Sequence, residues 1–379
     1  MTSLADRFTA ELGTPPEGVW SAPGRVNLLG EHTDYNEGFV LPAAIDLGCE
    51  AAARRRDDGV LHVRSVQAGD SPAVRLAEVA PGDVSGWSAY AVGVAWALRE
   101  QGLDLPGADV LVDSSVPSGA GLSSSAALEC SVGLALCDLA GVDLDRTALA
   151  LAGQRAERDV VGAPVGVMDQ MASVHGAAGA AVFLDCRSLA VEQVPLPLPD
   201  RGLTLLVVDT RVEHAHATGG YASRRRACEE AAQVLGVPAL RDATLGQVEA
   251  AMDRLGDERF RRARHVVTEN DRVLSAVRLL RSGDLDALGP LLAAGHASLR
   301  DDFEVSCPEL DLAVAAALAG GAVAARMTGG GFGGSVVAVV PAPQVDVVAA
   351  ECRRAAAAAG APEPQILAVQ ASDGARRLQ

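Results

Sequence analysis

Two glycine-rich segments lie far apart in this 379-residue chain, and together they constrain its fold more than any other feature. The first is "VPSGAGLSSSAALE", Val116 to Glu129. The strand pattern "GADVLVDSS" runs into it and a strong helix former follows, so it reads as a strand–loop–helix junction. The second is "TGGGFGG", Thr328 to Gly334, where five of seven residues are Gly. Glycine packs poorly in strands, so such a run needs a reason. Close approach to a ligand, or to the first loop, is one; a flexible hairpin is the plain alternative. Two such loops from opposite halves of the chain predict a single site between two lobes.

The first segment has the form of an anion cradle. Pro117 ends the strand, and Ser118, Gly119, Ala120, Gly121 and Leu122 form the turn. Gly119 and Gly121 permit a positive φ. Ser123, Ser124 and Ser125 stand where a helix begins, and a helix start offers unpaired N–H groups and a partial positive charge. Phosphate binds there without lysine. A capped helix after a turn accounts for the same residues without any ligand.

Lysine is in fact missing: all 32 cationic residues are Arg. A Walker P-loop, a protein-kinase phosphate lysine and a Schiff-base lysine are therefore excluded. The formal charge of −17 argues against nucleic acid or an anionic membrane as partner. Seven scattered Cys, with no Cys-x-x-Cys, argue against a disulfide framework and against structural zinc. The start "MTSLADRFTAELG" lacks the basic, then apolar, pattern of a signal peptide. No uninterrupted apolar run is long enough to span a bilayer. The expectation is a soluble cytoplasmic protein.

Helical and strand patterns mix without strict βαβ alternation, which predicts an α+β fold. Helices are expected over 4–12, 87–102, 122–141 and 146–161, then 222–235, 245–255, 264–282, 285–300 and 342–359. Strands are expected within 18–32, over 38–56 and 59–66, within 107–121, and over 180–188, 203–210 and 365–370, with a further strand after the second glycine run. The Pro-rich "PLPLPDRG" is the candidate boundary, dividing the chain into lobes 1–195 and 196–379.

A third stretch is "GRVNLLGEHTDY", Gly24 to Tyr35. It gathers polar groups that are scarce elsewhere: the chain has only three Asn, three Tyr and seven His. Glu31, His32 and Asp34 follow directly on an apolar strand. Carboxylates accept hydrogen bonds and imidazole can donate or accept, so the stretch is a dense hydrogen-bonding cluster. Glu-His-x-Asp also reads as a metal site, although third and fourth ligands at the usual spacing are missing. "HAH" at His214–His216 raises the same question and reads more simply as ordinary loop residues.

These segments carry a resemblance. "PSGAGLSSSAALE" resembles the ATP-phosphate motif of the galactokinase, homoserine kinase, mevalonate kinase and phosphomevalonate kinase superfamily, and "MTGGGFGGS" its C-terminal glycine motif. "GRVNLLGEHTDYNEGFVLPAAID", Gly24 to Asp46, is similar to the signature of galactokinases, and "GVMDQMAS" lies between these blocks as it does in that family. The resemblance spans nearly the whole chain. It implies a two-lobed kinase with its active site between the lobes, using Mg-ATP to phosphorylate galactose at C1.

The same resemblance assigns roles. Asp169 corresponds to the catalytic aspartate and Arg25 to the active-site arginine. Glu31, His32 and Asp34 fall to sugar recognition, with Gly166 offering a backbone contact and Tyr221 a ring contact. Pro117 to Ser125 cradle ATP, and Trp87 packs on adenine or else in the core. Ser125 and Glu157 are the Mg²⁺ candidates, with Ser124 as a substitute for Ser125; Glu157 otherwise reads as part of a solvated helix face beside Arg155 and Arg158. A monomer is expected. The rival readings are a related sugar kinase (for N-acetylgalactosamine, arabinose or a uronic acid) and a galactose- and ATP-binding sensor without catalysis; intact Arg25, Asp169 and "LSSSAA" disfavour the sensor.

Overall fold

The computed structural model describes residues 3–213, 217–285 and 287–379. The chain opens with the helix Leu4–Leu12, whose start is fixed by a reciprocal cap. Ser3 Oγ accepts from the Asp6 N–H, and the Asp6 carboxylate accepts from the Ser3 N–H. Leu4 and Phe8, one turn apart, are its buried face.

The first lobe is built on a nine-stranded sheet. Gly18–Leu29 pairs antiparallel with Phe39–Arg56, which pairs antiparallel with Gly107–Ser114. Gly107–Ser114 pairs parallel with Val60–Ser65. Ala180–Asp185 joins the start of Phe39–Arg56, at Phe39 and Val40, and carries Val191–Pro195. The helices Ser88–Glu100, Ser124–Ala140, Arg146–Arg155 and Met168–His175 pack together over this sheet. Their contact faces are dominated by Ala, Gly, Val and Leu. Gly133 shows why small residues are needed, since a Cβ there would lie 2.7 Å from Leu149 Cδ1.

The second sheet is antiparallel, in the order Ala324–Thr328, Gly333–Pro341, Leu203–Glu213, Gln365–Val369. The helices Met252–Ser282, Pro308–Ala319 and Val345–Ala359 belong to this half, as does Ala217–Leu235. One apolar cluster joins the two sheets, with Val26 and Ile45 from the first and Val207, Val337 and Val369 from the second. The chain end then returns to the first lobe, where Ser21 pairs with Arg376 and Trp20 with Arg377.

Several expectations need correction. The segment before the second glycine run is a strand, Ala324–Thr328, so the run closes a hairpin. All five strand residues are buried, so no alternation marked it. The helix expected over 146–161 is α-helical only to Arg155 and continues as a π-turn, Ala156–Val161. The expected 245–255 helix divides into Leu245–Ala250 and the start of Met252–Ser282, which kinks where Gly256 adopts φ 69°. The helix Pro308–Ala319 is an addition to these expectations, and Asp169 stands in the first turn of a helix, Met168–His175. The "HAH" segment, His214–His216, lies outside the described residues.

Candidate active site

The strand Gly18–Leu29 delivers Arg25 to the middle of the molecule, where its side chain is 5% exposed. Its Nε donates to Asp169 Oδ1 at 2.9 Å, and Nη2 lies 2.8 Å from the same oxygen. Its Nη1 donates to the Gly121 carbonyl at 2.6 Å, and its backbone N–H donates to the Leu122 carbonyl. One guanidinium thus ties the phosphate-type loop to Asp169, which begins the helix Met168–His175 and keeps 28% side-chain exposure. A buried cation holding a half-open carboxylate is a charge-assisted pair of the strong kind.

Beside it opens a cavity of about 580 Å³, lined by Trp87, Tyr90, Pro117, Ser118, Gly119, Ser124 and Ser125 among others. Ala120 and Leu122 face inward and are buried. The Ala120 carbonyl accepts from Ser335 Oγ at 2.7 Å. Ser123, at φ 60°, precedes the helix Ser124–Ala140 but makes no side-chain cap, and its buried Oγ has no partner. The first-turn N–H groups of that helix are therefore not capped by Ser123.

Glu157 sits in the π-turn and is buried. Burial pushes its carboxyl up to about 7; the facing Ser125 hydroxyl favours the ionised form, and Asp169 raises it further. Glu129 lies behind it, fully buried and accepting from Gln170 Nε2 at 2.9 Å. Burial and the Glu157 charge hold Glu129 well above the usual carboxylate range. A hydroxyl and a carboxylate beside a helix start that Ser123 leaves uncapped suit Mg²⁺, a hard ion that takes few protein oxygens and completes its shell with water and phosphate. Among the described residues no group of three or more His, Cys, Asp or Glu forms a metal cage.

The turn after Leu29 carries the other polar groups. Gly30 takes φ 99°, where a Cβ would lie 2.6 Å from the Phe39 carbonyl. Glu31 is buried, and its Oε1 accepts from the Gly329 N–H at 2.6 Å. Burial raises its carboxyl to about 7, opposed by the charges of Arg25 and Arg326 and by the Gly329 N–H. His32 spans the two halves, with Nε2 3.1 Å from the Gly330 carbonyl and Nδ1 2.9 Å from the Tyr35 hydroxyl. A carbonyl only accepts, so Nε2 carries the proton and Nδ1 accepts from Tyr35. Burial lowers this imidazole to about 3, so it is neutral at pH 7.

Asp34 faces the Gly166 loop. A Cβ on Gly166 would fall 1.7 Å from Asp34 Oδ2, so glycine there makes room for the carboxylate. Burial and the neighbouring Asp169 charge raise Asp34 to about 6. Tyr221, from the helix Ala217–Leu235, packs its ring 5.3 Å from His32 and 5.4 Å from Tyr35. Arg25, Asp169, Asp34, Glu31, His32 and Tyr221 therefore converge, with Ser125, Glu157 and Trp87 on the cavity side.

The sequence reading missed the residues beneath this surface: Tyr35, Gln170, Glu129, Glu269 and Arg326. Arg326 did carry a signal, as a lone charge inside the apolar run "AVAARMT" next to the glycine motif.

The fold and site together define a kinase of the GHMP class. The GHMP kinase N-terminal domain matches residues 89–177 and the GHMP kinase C-terminal domain residues 276–358. The galactokinase galactose-binding signature matches residues 6–55. The galactokinase of Streptomyces coelicolor is 54% identical over 99% of this chain and 98% of its own length. That of Mycobacterium tuberculosis is 44% identical over 94% of this chain and 98% of its own. The crystal structure of Lactococcus lactis galactokinase complexed with galactose superposes with a TM-score of 0.93 at 34% identity, covering 99% of both chains. The chain belongs to the galactokinase family. No helix among the described residues is long and apolar enough to cross a membrane.

Proposed function

We propose that the chain transfers the γ-phosphoryl group of ATP to the C1 hydroxyl of α-D-galactose, giving galactose 1-phosphate and ADP, the entry step of galactose catabolism. The observation that carries this reading is the Arg25–Asp169 pair, set where the Gly121 loop and the Asp34 turn meet. Galactose bound in the Lactococcus relative supports the choice of sugar.

Phosphoryl transfer asks mainly for alignment and charge neutralisation. Asp169 orients the C1 hydroxyl and accepts its proton as the new P–O bond forms and the bond to ADP breaks. Arg25 holds the Asp169 carboxylate in place through Nε and Nη2 and offsets charge on the phosphoryl group in transit. Glu31, His32, Asp34, Tyr221 and the Gly166 backbone read the sugar. A site built to bond the axial 4-hydroxyl rejects the 4-epimer by leaving buried polar groups unpaired. Pro117 to Ser125 cradle the ATP phosphates and Trp87 flanks the base. Ser125 and Glu157 would hold Mg²⁺, which when bound screens the phosphate charges.

The nucleotide and sugar meet between lobes 1–195 and 196–379, the second sending its last strand back to the first. We read the enzyme as a cytoplasmic monomer; all seven cysteines are unpaired, which suits a reducing compartment.

The test is ADP release from Mg-ATP over a sugar panel. Galactose should far outpace glucose and N-acetylgalactosamine, and equal rates across the panel would overturn the substrate. Asp169→Asn should lower kcat by about 10³-fold in a protein that still folds, with a lowered melting temperature because buried Arg25 loses its counter-charge. Near-normal turnover in that variant would remove Asp169 from the chemistry.

A further inference from the structure

Behind the sugar-facing turn lies a buried ion pair that the chemistry above does not use. Arg326, on the strand Ala324–Thr328, and Glu269, on the helix Met252–Ser282, both have side chains at 0% exposure. Arg326 Nη1 donates to Glu269 Oε1 at 2.9 Å. The same oxygen accepts from the Gly30 N–H at 2.9 Å, and Oε2 accepts from Arg272 Nε at 2.6 Å. Arg326 Nε donates to the Met327 carbonyl, while Nη2 is buried with no partner. Gly295 leaves the hollow the pair fills, since a Cβ there would lie 2.7 Å from Arg326 Nη1.

Buried pairs of this kind are poor sources of stability, because desolvating two ions offsets their attraction. This one is joined to the site at two points. Glu269 holds the N–H of Gly30, the residue before Glu31. Arg326 stands two residues before Thr328, and Thr328 Oγ1 accepts from the Asn27 N–H at 2.8 Å. Glu31 itself docks on the next N–H, that of Gly329.

We propose that Glu269 and Arg326 are positioning residues of the sugar site: Glu269 anchors the turn at Gly30, and Arg326 supplies the buried positive charge against which the Glu31 carboxylate is held on Gly329.

The groups that face Glu31 bear this out. The strand Gly18–Leu29 contributes Arg25, and the strand Ala324–Thr328 contributes Arg326. The helix Met252–Ser282 contributes Glu269 and His265, whose Nε2 donates to the Glu31 carbonyl. The turn itself contributes neutral His32, and Tyr221 approaches from the helix Ala217–Leu235. Arg25 is already engaged by Asp169, whereas Arg326 keeps one Nη unpaired. Burial alone would raise Glu269, but Arg326, Arg272 and His265 outweigh it and hold it well below the usual carboxylate range. Glu269 is therefore ionised near neutral pH, and its charge does not change where Glu31 titrates.

The proposal rests on the galactose reading, which wild-type turnover on galactose tests separately. The experiment compares Arg326→Met, Arg326→Lys and Glu269→Gln by the pH dependence of kcat/KM for galactose at saturating Mg-ATP. Burial raises the Glu31 carboxyl to about 7, so Glu31 is expected to contribute to the acidic limb of the wild type, alongside Asp34 and Glu157. Arg326→Met removes a cation and should move that limb up by about one pH unit, a tenfold loss at pH 6. Glu269→Gln retains an acceptor for Gly30 but removes a negative charge, so the limb should move down. Arg326→Lys should keep the wild-type limb. Opposite shifts in the two charge-removing variants are a signature that simple loosening of the fold does not produce. The proposal is overturned if both limbs move the same way, if neither moves, or if Arg326→Lys behaves like Arg326→Met. Should Arg326→Met fail to fold, the downward shift in Glu269→Gln decides alone.

Discussion

The two glycine loops look alike in sequence and differ in what their backbones meet. The first, Pro117 to Ser125, borders the cavity of about 580 Å³ and leads into a helix start left uncapped by Ser123. The second, Thr328 to Gly334, is packed from several sides. A Cβ on Gly329 would lie 2.8 Å from the Gly121 carbonyl, and one on Gly331 2.4 Å from the Val305 carbonyl. Glu31 and His32 hold its backbone at Gly329 and Gly330. Glycine borders open space in the first loop, apart from Gly121 where the two loops meet, and serves protein self-contact in the second. A glycine run by itself therefore does not say whether the close partner is a phosphate or another part of the chain.

The largest expected effect breaks the second loop. Gly329→Ala forces a side chain into φ 86° and against Gly121, and should cost about 3 kcal/mol in chemical denaturation. The KM values for both substrates should rise together, because Gly121 and Glu31 move with it. If only the ATP parameters change, the second loop is a phosphate loop after all.

A smaller effect separates the first loop. Ser125→Ala should lower kcat/KM for Mg-ATP by about tenfold. KM for galactose and thermal stability should stay at wild-type values. Excess Mg²⁺ should restore part of the loss, and an equal loss toward galactose would remove Ser125 from the metal site.

The smallest effect is on pH. Glu157 beside the first loop and Glu31 on the second are both raised by burial to about 7. Each holds a proton in the folded enzyme that the unfolded chain releases near its ordinary value, so the stabilisation is complete below about 4.5 and lost as pH rises through 7. His32 and His265, lowered by burial to about 3 and about 4, act oppositely, but only up to their ordinary value near 6.5. Asp34 and Glu129 act with the two glutamates and His296 with the two histidines, so the ligand-free enzyme should show a nearly flat melting temperature from about pH 4.5 to 6.5 and a decline of a few degrees by pH 8. Mg-nucleotide, acting at Glu157 alone, should remove part of that decline. Removal of all of it, or none, would show that the two loops are not electrostatically separate.

Much of this protein was legible in order along the chain. The strand–loop–helix junction at Val116 to Glu129, the polar turn after Leu29 and Asp169 in "GVMDQ" are local patterns, and local patterns survive in sequence because backbone geometry and side-chain chemistry are local. The missing lysines narrowed the chemistry before any coordinate was known. Tertiary structure alone decided the partners. Glu31 meets Gly329, Asp34 fills the space that Gly166 leaves, and Arg326 pairs with Glu269. Each pair is remote in sequence, and burial removes the alternation by which a residue shows its facing. Charge at a distance is set by folding, so which carboxylates keep their protons near neutral pH was decided only when the two lobes closed on them.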